Sequence, residues 1–348
     1  MSDAIEINMR SSYLSTFPAV IAIAIVAMGP FAVSAQPGPS GATAGQSKLV
    51  SGLPVESVTV TATKPSEETI MKFVETRGQP TYVLGRMARW TLKICPLTIG
   101  LGDKYAKYVT QRIRDVAAAV GAPVDSDPGC RPNVEVVFTT TPQPLLDNVR
   151  NTRPLFLGFF HNGRQADELA KVTHSIQAWY TTISQDMDGS RQIDTGTCNV
   201  GATINLQQPV GGDAGMSMGT TTSTLTLPCA MVVHASGYRA QDGLDSGYYN
   251  ILIVAEPAKL LDYEVGALAD YVTLLALSQP ASLDNCQDLP SISNLLAKDC
   301  ASAPARITDG DLAFLRALYK MPNGELLATQ RDHIMYEMKK TLVTDKGG

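Results

Sequence analysis

The sequence predicts an α+β or α/β fold, in which a twisted mixed sheet carries crossover helices. The strongest observation is the stretch 247–279, where a buried apolar strand, Tyr248–Val254, precedes a helix predicted over Asp262–Ser278. Strand-like and helix-like patterns also alternate through the first half of the chain, which is typical of a layered sheet. Finally, the chain ends in two predicted helices. We therefore expect a central helix after the core strand and a helical C-terminal part.

Length and charge limit the class of protein. The chain has 348 residues, of which 44% are apolar and 18% charged, and this length is enough for one large domain or two small ones. The net charge of -5 leaves no excess of basic residues for a nucleic-acid-binding patch. The sequence therefore argues against a nucleic-acid partner.

The N-terminus has the features of a signal peptide. Arg10 precedes an apolar run from Phe17 to Val33, and Val33-Ser34-Ala35 fits the small-x-small cleavage pattern. The run is near the lower length limit for a membrane span. Residues 1–35 are therefore predicted to be a signal peptide, starting at Met1 or Met9, with no stable membrane span after cleavage. This predicts a periplasmic or secreted protein of a Gram-negative bacterium.

Two further regions complete the predicted organisation. Residues 36–54 are rich in Gly, Pro, Ser and Ala, which predicts a flexible linker, and residues 55–345 are predicted to form a single globular domain. Within that domain, Val58–Lys64 resembles the segment that opens the plug of TonB-dependent receptors. The rest of the chain lacks the repeated strands of about 10 residues that an outer-membrane barrel needs.

Export changes the interpretation of the cysteines, because disulfides persist outside the cytoplasm. The chain has an even set of six, and no two have the Cys-x-x-Cys spacing of a zinc or redox site. Fifteen connectivities are possible in principle. We expect sequential pairing: Cys95 with Cys130, Cys198 with Cys229, and Cys286 with Cys300.

The first half of the domain predicts alternating helices and strands. Ser66 is positioned to cap a helix over Glu67–Glu75, and Met87–Cys95 partly alternates like a strand. A long helix is predicted over Asp103–Val120, and Gly121 is expected to end it. Its apolar positions recur at three and four and predict one buried stripe: Tyr105, Val109, Ile113, Val116 and Val120.

The second half continues in the same way up to the central helix. The predicted elements are a strand over Asn133–Thr139, short helices over Pro144–Val149 and Gln165–Lys171, and strands over Ser175–Ser184 and Ala230–Ser236. Between those last two strands, Thr195–Thr226 is rich in Gly and Thr and predicts a long excursion.

The closing part predicts an irregular stretch and two helices. Residues 279–306 are irregular, and helices are predicted over Thr308–Lys320 and Gly324–Leu342. Thr308 and Asp311 have the spacing of an acidic capping box, in which each side chain binds the other residue's backbone amide.

The order of parts in this C-terminal third resembles the zincin metallopeptidases, most nearly the metzincin branch. It consists of the helix Ala269–Gln279, the turn Ser291-Ile292-Ser293-Asn294, and Thr308-x-x-Asp311-x-x-x-Leu315-x-x-Leu318-Tyr319. The resemblance covers about a hundred residues and implies a zincin-like scaffold.

The residues of the metal site depart from that family. On the His-Glu-x-x-His-x-x-Gly-x-x-His motif, the three ligand positions correspond to Ala269, Thr273 and Gln279, and the general base to Asp270. Ala276 takes the glycine position, and Ser293 takes the methionine position of the following turn. Zinc needs imidazole, thiolate or carboxylate donors, and no histidine occurs in residues 263–280. We therefore expect the scaffold without a metal or other cofactor.

Three residues remain as catalytic candidates. Asp270 is either an altered catalytic acid or a core acid satisfied by a hydroxyl or amide, and Glu264 precedes it at the start of the helix. Ser217 lies in a Gly-x-Ser-x-Gly string like that of serine hydrolases, but a Thr-rich strand follows instead of the helix that such an elbow needs. The four histidines offer no pair at helical ligand spacing: His161, His174, His234 and His333.

Three functions are compatible with these features. The first is an exported, non-catalytic metallopeptidase-like scaffold that binds a peptide or protein, for instance by strand addition at a sheet edge. The second is a hydrolase, such as a peptidase, with an atypical site that uses Asp270, Glu264 or Ser217. The third is an accessory component of the bacterial envelope. We favour the first, because the expected ligands are missing from the central helix.

Overall fold

The sheet of this protein is mixed and the fold is α+β, as the sequence predicts. The computed structural model describes residues 64–186, 189–195, 201–212, 215–226 and 243–344. The predicted signal peptide and linker, the Ala230–Ser236 strand, and Cys198 and Cys229 lie outside these residues. In chain order the elements are α1 (Glu67–Arg77), β1 (Pro96–Ile99), α2 (Asp103–Val120), β2 (Val134–Phe138), α3 (Pro142–Thr152), α4 (Gly163–Leu169), β3 (Ile176–Gln185), β4 (Arg191–Ile193), β5 (Gly201–Gly212), β6 (Gly215–Thr226), β7 (Asp245–Ala255), α5 (Val265–Leu277), α6 (Asp309–Lys320) and α7 (Leu327–Lys339).

Five strands form the main sheet, in the order β1-β2-β7-β3-β4. β1, β2 and β7 are parallel, whereas β3 runs antiparallel to both β7 and β4. The crossover helix α2 joins the parallel strands β1 and β2, and α5 follows β7. β7 lies in the middle of the sheet and is buried along most of its length, which confirms that the apolar run in this stretch is the core strand.

A β-bulge in β7 determines which of its side chains face the central helix. Thr181 pairs with Asn250 and Thr182 with Tyr248, so Tyr249 is an extra residue in β7. Side chains alternate between the two faces of a strand, and one extra residue reverses that alternation. Tyr248 therefore lies on the same face as Ile251, and both belong to the larger hydrophobic core.

The central helix α5 ends inside the protein, on that same face. From Ala267 to Leu277 every residue is buried. The last four carbonyls of a helix have no partner within it, and here they are Leu274–Leu277. The Leu274 carbonyl accepts the backbone N–H of Ser278 at 3.0 Å. Aromatic side chains from three other segments satisfy the rest: Trp90 Nε1 donates to Ala276 at 2.8 Å, Tyr180 Oη to Leu275 at 3.0 Å, and Tyr319 Oη to Leu277 at 2.9 Å.

Burial keeps these hydroxyl donors protonated. Desolvation raises the pKa of Tyr180 and of Tyr319 well above the ordinary value for tyrosine. Tyr248 also lies here, with its hydroxyl oxygen accepting the N–H of Gln279 at 2.9 Å. The end of α5 is thus enclosed by aromatic side chains from β3, β7, α6 and the segment before β1.

A second, smaller core covers the opposite face of the sheet. It contains Trp179 of β3 and Leu252 and Val254 of β7, packed against Leu146 of α3 and Leu157 of a 3₁₀ turn. The sheet is therefore covered by helices on both faces.

Two sequence expectations are wrong. The predicted strand Met87–Cys95 makes only isolated bridges, at Met87, Arg89 and Ile94, and the regular strand starts at Pro96. A half-buried strand would place neighbours on opposite faces, but Arg89 and Trp90 are both buried. Arg89 donates to carbonyls at the end of α6, and Trp90 donates to a carbonyl of α5, so side-chain partners shape this segment.

The second wrong expectation concerns Tyr105, which the sequence places in the buried stripe of α2. Tyr105 is exposed because it lies in the helix's first turn.

Other local predictions are confirmed. Ser66 caps α1, Gly121 ends α2 in the left-handed conformation, and the capping box of α6 has both hydrogen bonds. Two of the three expected disulfides, Cys95–Cys130 and Cys286–Cys300, are present. The predicted excursion contains an antiparallel hairpin of β5 and β6. Within the described ranges, none of the helices is both long and apolar enough to cross a membrane.

The enclosed end of α5 gives a first prediction. Tyr319→Phe should lower the free energy of unfolding by about 1–3 kcal/mol, because the Leu277 carbonyl stays buried without its donor. Tyr336→Phe is the matched control, since that tyrosine is 65% exposed on α7 and should change stability by less than about 0.5 kcal/mol. Urea unfolding followed by circular dichroism measures both. Equal stability of the two variants would contradict the capping role.

Candidate functional site

The positions that would bind metal in the metzincin motif face the protein core. Ala269 and Thr273 are fully buried on α5, and the Thr273 hydroxyl donates to the Ala269 carbonyl at 2.7 Å. α5 ends at Leu277, so Gln279 lies beyond the helix. Ser293, at the position of the turn methionine, shares a hydrogen bond with the Ser291 hydroxyl at 2.9 Å. These side chains form a packed and internally bonded core.

The part of the chain that the structure describes also contains no metal-binding cluster elsewhere. There, no group of three or more His, Cys, Asp and Glu side chains could hold a metal ion. His174 contacts Asp284 at 3.1 Å, whereas His161 lies in the loop before α4 and His333 lies on α7. His234 is outside the described residues.

Asp270 is a buried acid with both oxygens engaged. Arg112 of α2 donates to Oδ1 through its Nε, and the backbone N–H of Ile307 donates to Oδ2 at 2.8 Å. The hydrogen bond with Asp270 raises the pKa of Arg112. The side chain of Asp270 is only 4% exposed, and that of Arg112 is 33% exposed. Asp270 therefore links α5 to α2 and to the segment that enters α6.

The other two catalytic candidates lie elsewhere. Glu264 is the N-cap residue of α5, exposed and without a side-chain capping bond. It is six residues before Asp270, which corresponds to roughly 9 Å along a helix axis. Ser217 lies in β6, in the hairpin with β5. The exposed Glu264 and the buried, ion-paired Asp270 thus do not form a carboxylate pair.

The open surface near α5 is at its N-terminal end, beside the N-terminal end of α2. The two helices run side by side in the same direction. A Cβ at Gly266 would lie 3.6 Å from the Tyr108 hydroxyl, and one turn further along both helices Arg112 pairs with Asp270. Both helices follow parallel strands, so this surface lies at the carboxyl ends of those strands, where open α/β sheets usually bind ligands.

Exposed apolar side chains are concentrated on this surface. Of the eleven large apolar side chains that are exposed in the described residues, five belong to it. Single exposed apolar residues are ordinary, whereas a contiguous set usually marks an interaction site. We call this set the apolar face; its exposed fractions are 49% for Tyr105, 48% for Tyr108, 82% for Leu261, 36% for Tyr263 and 36% for Val265.

A groove of about 620 Å³ lies on the other side of α2. It separates that helix from the edge strand β1, whose Leu97 and Ile99 are also exposed. The groove is lined by Leu97, Thr98, Asp103, Ala106, Lys107, Thr110 and Gln111.

The sequence interpretation missed the apolar face for a definable reason. Tyr105 matches the buried stripe of α2, and only the position of the sheet shows that the first turn of α2 is exposed. A signal does exist in Leu261-Asp262-Tyr263-Glu264-Val265, where apolar residues alternate with acidic ones just before a helix. Such alternation in a connection without strand pairing indicates exposed apolar side chains.

The Arg112–Asp270 pair gives the second prediction. Arg112→Met should cost about 3–5 kcal/mol of unfolding free energy, because it leaves a buried carboxylate without its counter-charge. Asp270→Asn should cost less, because water can reach the partly exposed Arg112 and the amide oxygen can still accept the Ile307 N–H. Chemical unfolding of both variants at neutral pH tests this order. A larger loss for Asp270→Asn than for Arg112→Met would show that Arg112 is not the main partner of the Asp270 carboxylate.

Comparison with known proteins finds no relative of this chain. No family model, no curated protein and no solved structure matches this chain. The function is therefore inferred from the residues and contacts described above.

Proposed function

We propose that this chain is an exported, non-catalytic scaffold that binds a peptide or protein through the apolar face. The observation that carries the proposal is the clustering of Tyr105, Tyr108, Leu261, Tyr263 and Val265 at the exposed ends of two adjacent helices. Tyrosine-rich apolar clusters of this kind are typical of the energetically dominant centres of protein interfaces.

The surroundings of α5 support a binding role over a catalytic one. Asp270, the best-placed acid on the helix, is committed to Arg112 and to the Ile307 amide. A general base must instead reach a substrate proton within hydrogen-bond distance. The apolar face, in contrast, offers five large apolar side chains that are each at least 36% exposed to a partner.

Export is supported by the disulfides and by the N-terminal sequence. Cys95–Cys130 and Cys286–Cys300 are compatible with an oxidising compartment outside the cytoplasm. The apolar run and cleavage pattern in residues 1–35 point in the same direction. We place the binding function in the periplasm or outside the cell.

We also propose that the scaffold is related to that of the zincin metallopeptidases. α5 directly follows the central strand β7, and α6 begins at a capping box after an irregular stretch. This order of parts supports a scaffold of that kind, with core residues in place of the metal ligands.

Site-specific photo-crosslinking in an exporting Gram-negative host tests the binding role. A benzophenone amino acid at position 263 should give a discrete adduct on irradiation, because that side chain lies in the apolar face. The same group at position 336, on exposed α7, is the matched control and should give none. Leu261→Glu should abolish the adduct at position 263 while urea unfolding stays unchanged. Equal adducts at both positions, or none at position 263, would refute the proposal.

A further inference from the structure

We propose that a chloride-sized anion binds inside the protein, between the guanidinium of Arg77 and the hydroxyl of Tyr248. This site is separate from the apolar face, and the inference does not depend on the binding function proposed for that face. It is carried by the buried hydrogen-bond donors of these two side chains, which line one narrow cavity and have no acceptor among the described residues.

Arg77 is a charged side chain that is shielded from water. It lies in the last turn of α1 and is only 1% exposed. Burial lowers the pKa of Arg77, but arginine starts from so high a value that the guanidinium keeps its charge at neutral pH. Buried charges are normally paired, because removing an ion from water without a counter-charge is costly. A partner of opposite charge is therefore expected.

The donors along one edge of this guanidinium are unpaired. In the part of the chain that the structure describes, neither Nε nor Nη2 of Arg77 has a hydrogen-bond partner. Their N–H bonds run side by side, in the fork with which arginine binds anions. Arg77 Cζ lies 6.0 Å from the centroid of the Phe73 ring, and such a ring attracts the cation without accepting these in-plane donors.

The charges already present near Arg77 do not satisfy this fork. Asp311 attracts the guanidinium electrostatically, but its oxygens are committed to other donors. Oδ1 accepts the Ser291 hydroxyl at 2.5 Å, and Oδ2 accepts the Ile292 amide at 2.8 Å. Oδ2 also accepts the amide and the hydroxyl of Thr308. Partial negative charge at the end of α1 favours a cation there, yet it places no acceptor at Nε or Nη2.

A third donor comes from the middle strand of the sheet. Tyr248 lines the same cavity as Arg77 and is 1% exposed. Its hydroxyl oxygen already accepts the Gln279 amide at 2.9 Å, which leaves the hydroxyl proton available to a further acceptor. Desolvation raises the pKa of Tyr248, so the hydroxyl stays protonated and can donate.

The cavity itself selects a small ion. Its remaining walls come from the ends of α1 and α5, from α6 and from the segment before β1, and none of the lining residues is acidic. The space totals about 160 Å³, but it is so narrow that a water molecule would have no freedom to move. Met87 is one of the walls, and its flexible, polarisable side chain can shift to admit the slightly larger chloride.

An anion fits these donors better than water does. Water can accept an N–H group, but it leaves the charge of Arg77 uncompensated. A monatomic anion accepts from the fork and from the Tyr248 hydroxyl, and it neutralises the guanidinium. Bound there, it would connect the end of α1 to the central strand β7.

Urea unfolding of the purified exported chain in sodium chloride tests the site, with sodium gluconate added to keep the ionic strength constant. Gluconate is too large for the cavity, so only the concentration of a fitting anion changes. Above the Kd for chloride, each tenfold rise in its concentration should raise the folded-to-unfolded ratio by about tenfold, as for any ligand that binds only the folded state. Sodium acetate should act like gluconate, because the cavity is too narrow for a carboxylate group.

Variants of the two donor residues locate the effect. Arg77→Met should abolish the chloride dependence, because it removes the fork and its charge. Arg164→Met is the matched control, since it removes an exposed arginine of α4 and should keep the chloride dependence of the wild type. Tyr248→Phe removes one donor and should raise the Kd for chloride by about tenfold.

A wild type whose stability is independent of chloride at constant ionic strength would overturn the inference. So would an equal chloride dependence of the wild type and Arg77→Met. An acetate effect as large as that of chloride would overturn the assignment to a monatomic anion. If Arg77→Met does not fold, wild-type crystals grown in sodium bromide provide the test: an anomalous bromine peak in contact with Arg77 Nε is expected, and its absence there would refute the site.

Discussion

The enclosure of one helix end is the constraint on which much of this structure depends. α5 ends inside the core, and its final carbonyls cannot reach water. Three aromatic donors, Trp90, Tyr180 and Tyr319, satisfy them. Each unsatisfied buried carbonyl would cost a large fraction of the stability of an ordinary domain. The elements that supply the donors are therefore held in place by this requirement.

Several irregular features follow from the need to satisfy the buried carbonyls at the end of α5. The segment before β1 departs from a regular strand, and its Trp90 is bonded to α5 instead of lying on one face of the sheet. The bulge at Tyr249 brings Tyr248 to the face where α5 ends, next to Tyr180. Tyr319 fixes α6 against the same end. Near the opposite end of α5 lie the five exposed apolar side chains of the apolar face.

The sequence predicted the features that depend on local chemistry. The cap of α1, the glycine that ends α2, and the capping box of α6 are all determined by a few neighbouring residues. The core strand was also predicted, because a nearly continuous apolar run is the signature of a strand buried on both faces. Features that depend on tertiary position were not predictable: Tyr105 follows the periodicity of buried residues, and only the limit of the sheet leaves it exposed. The partners of Asp270 come from segments far away in sequence, so its ion pair could not be predicted either.

We propose that α5 is the core helix of a zincin-like scaffold and that it holds no metal. The metal content of the native protein tests this most directly. The chain should be purified from its exporting host without affinity tags or chelators, dialysed, and measured by inductively coupled plasma mass spectrometry. We expect far less than one zinc per chain, because Ala269 and Thr273 offer no zinc ligands and are fully buried. One zinc per chain that survives dialysis would contradict this account.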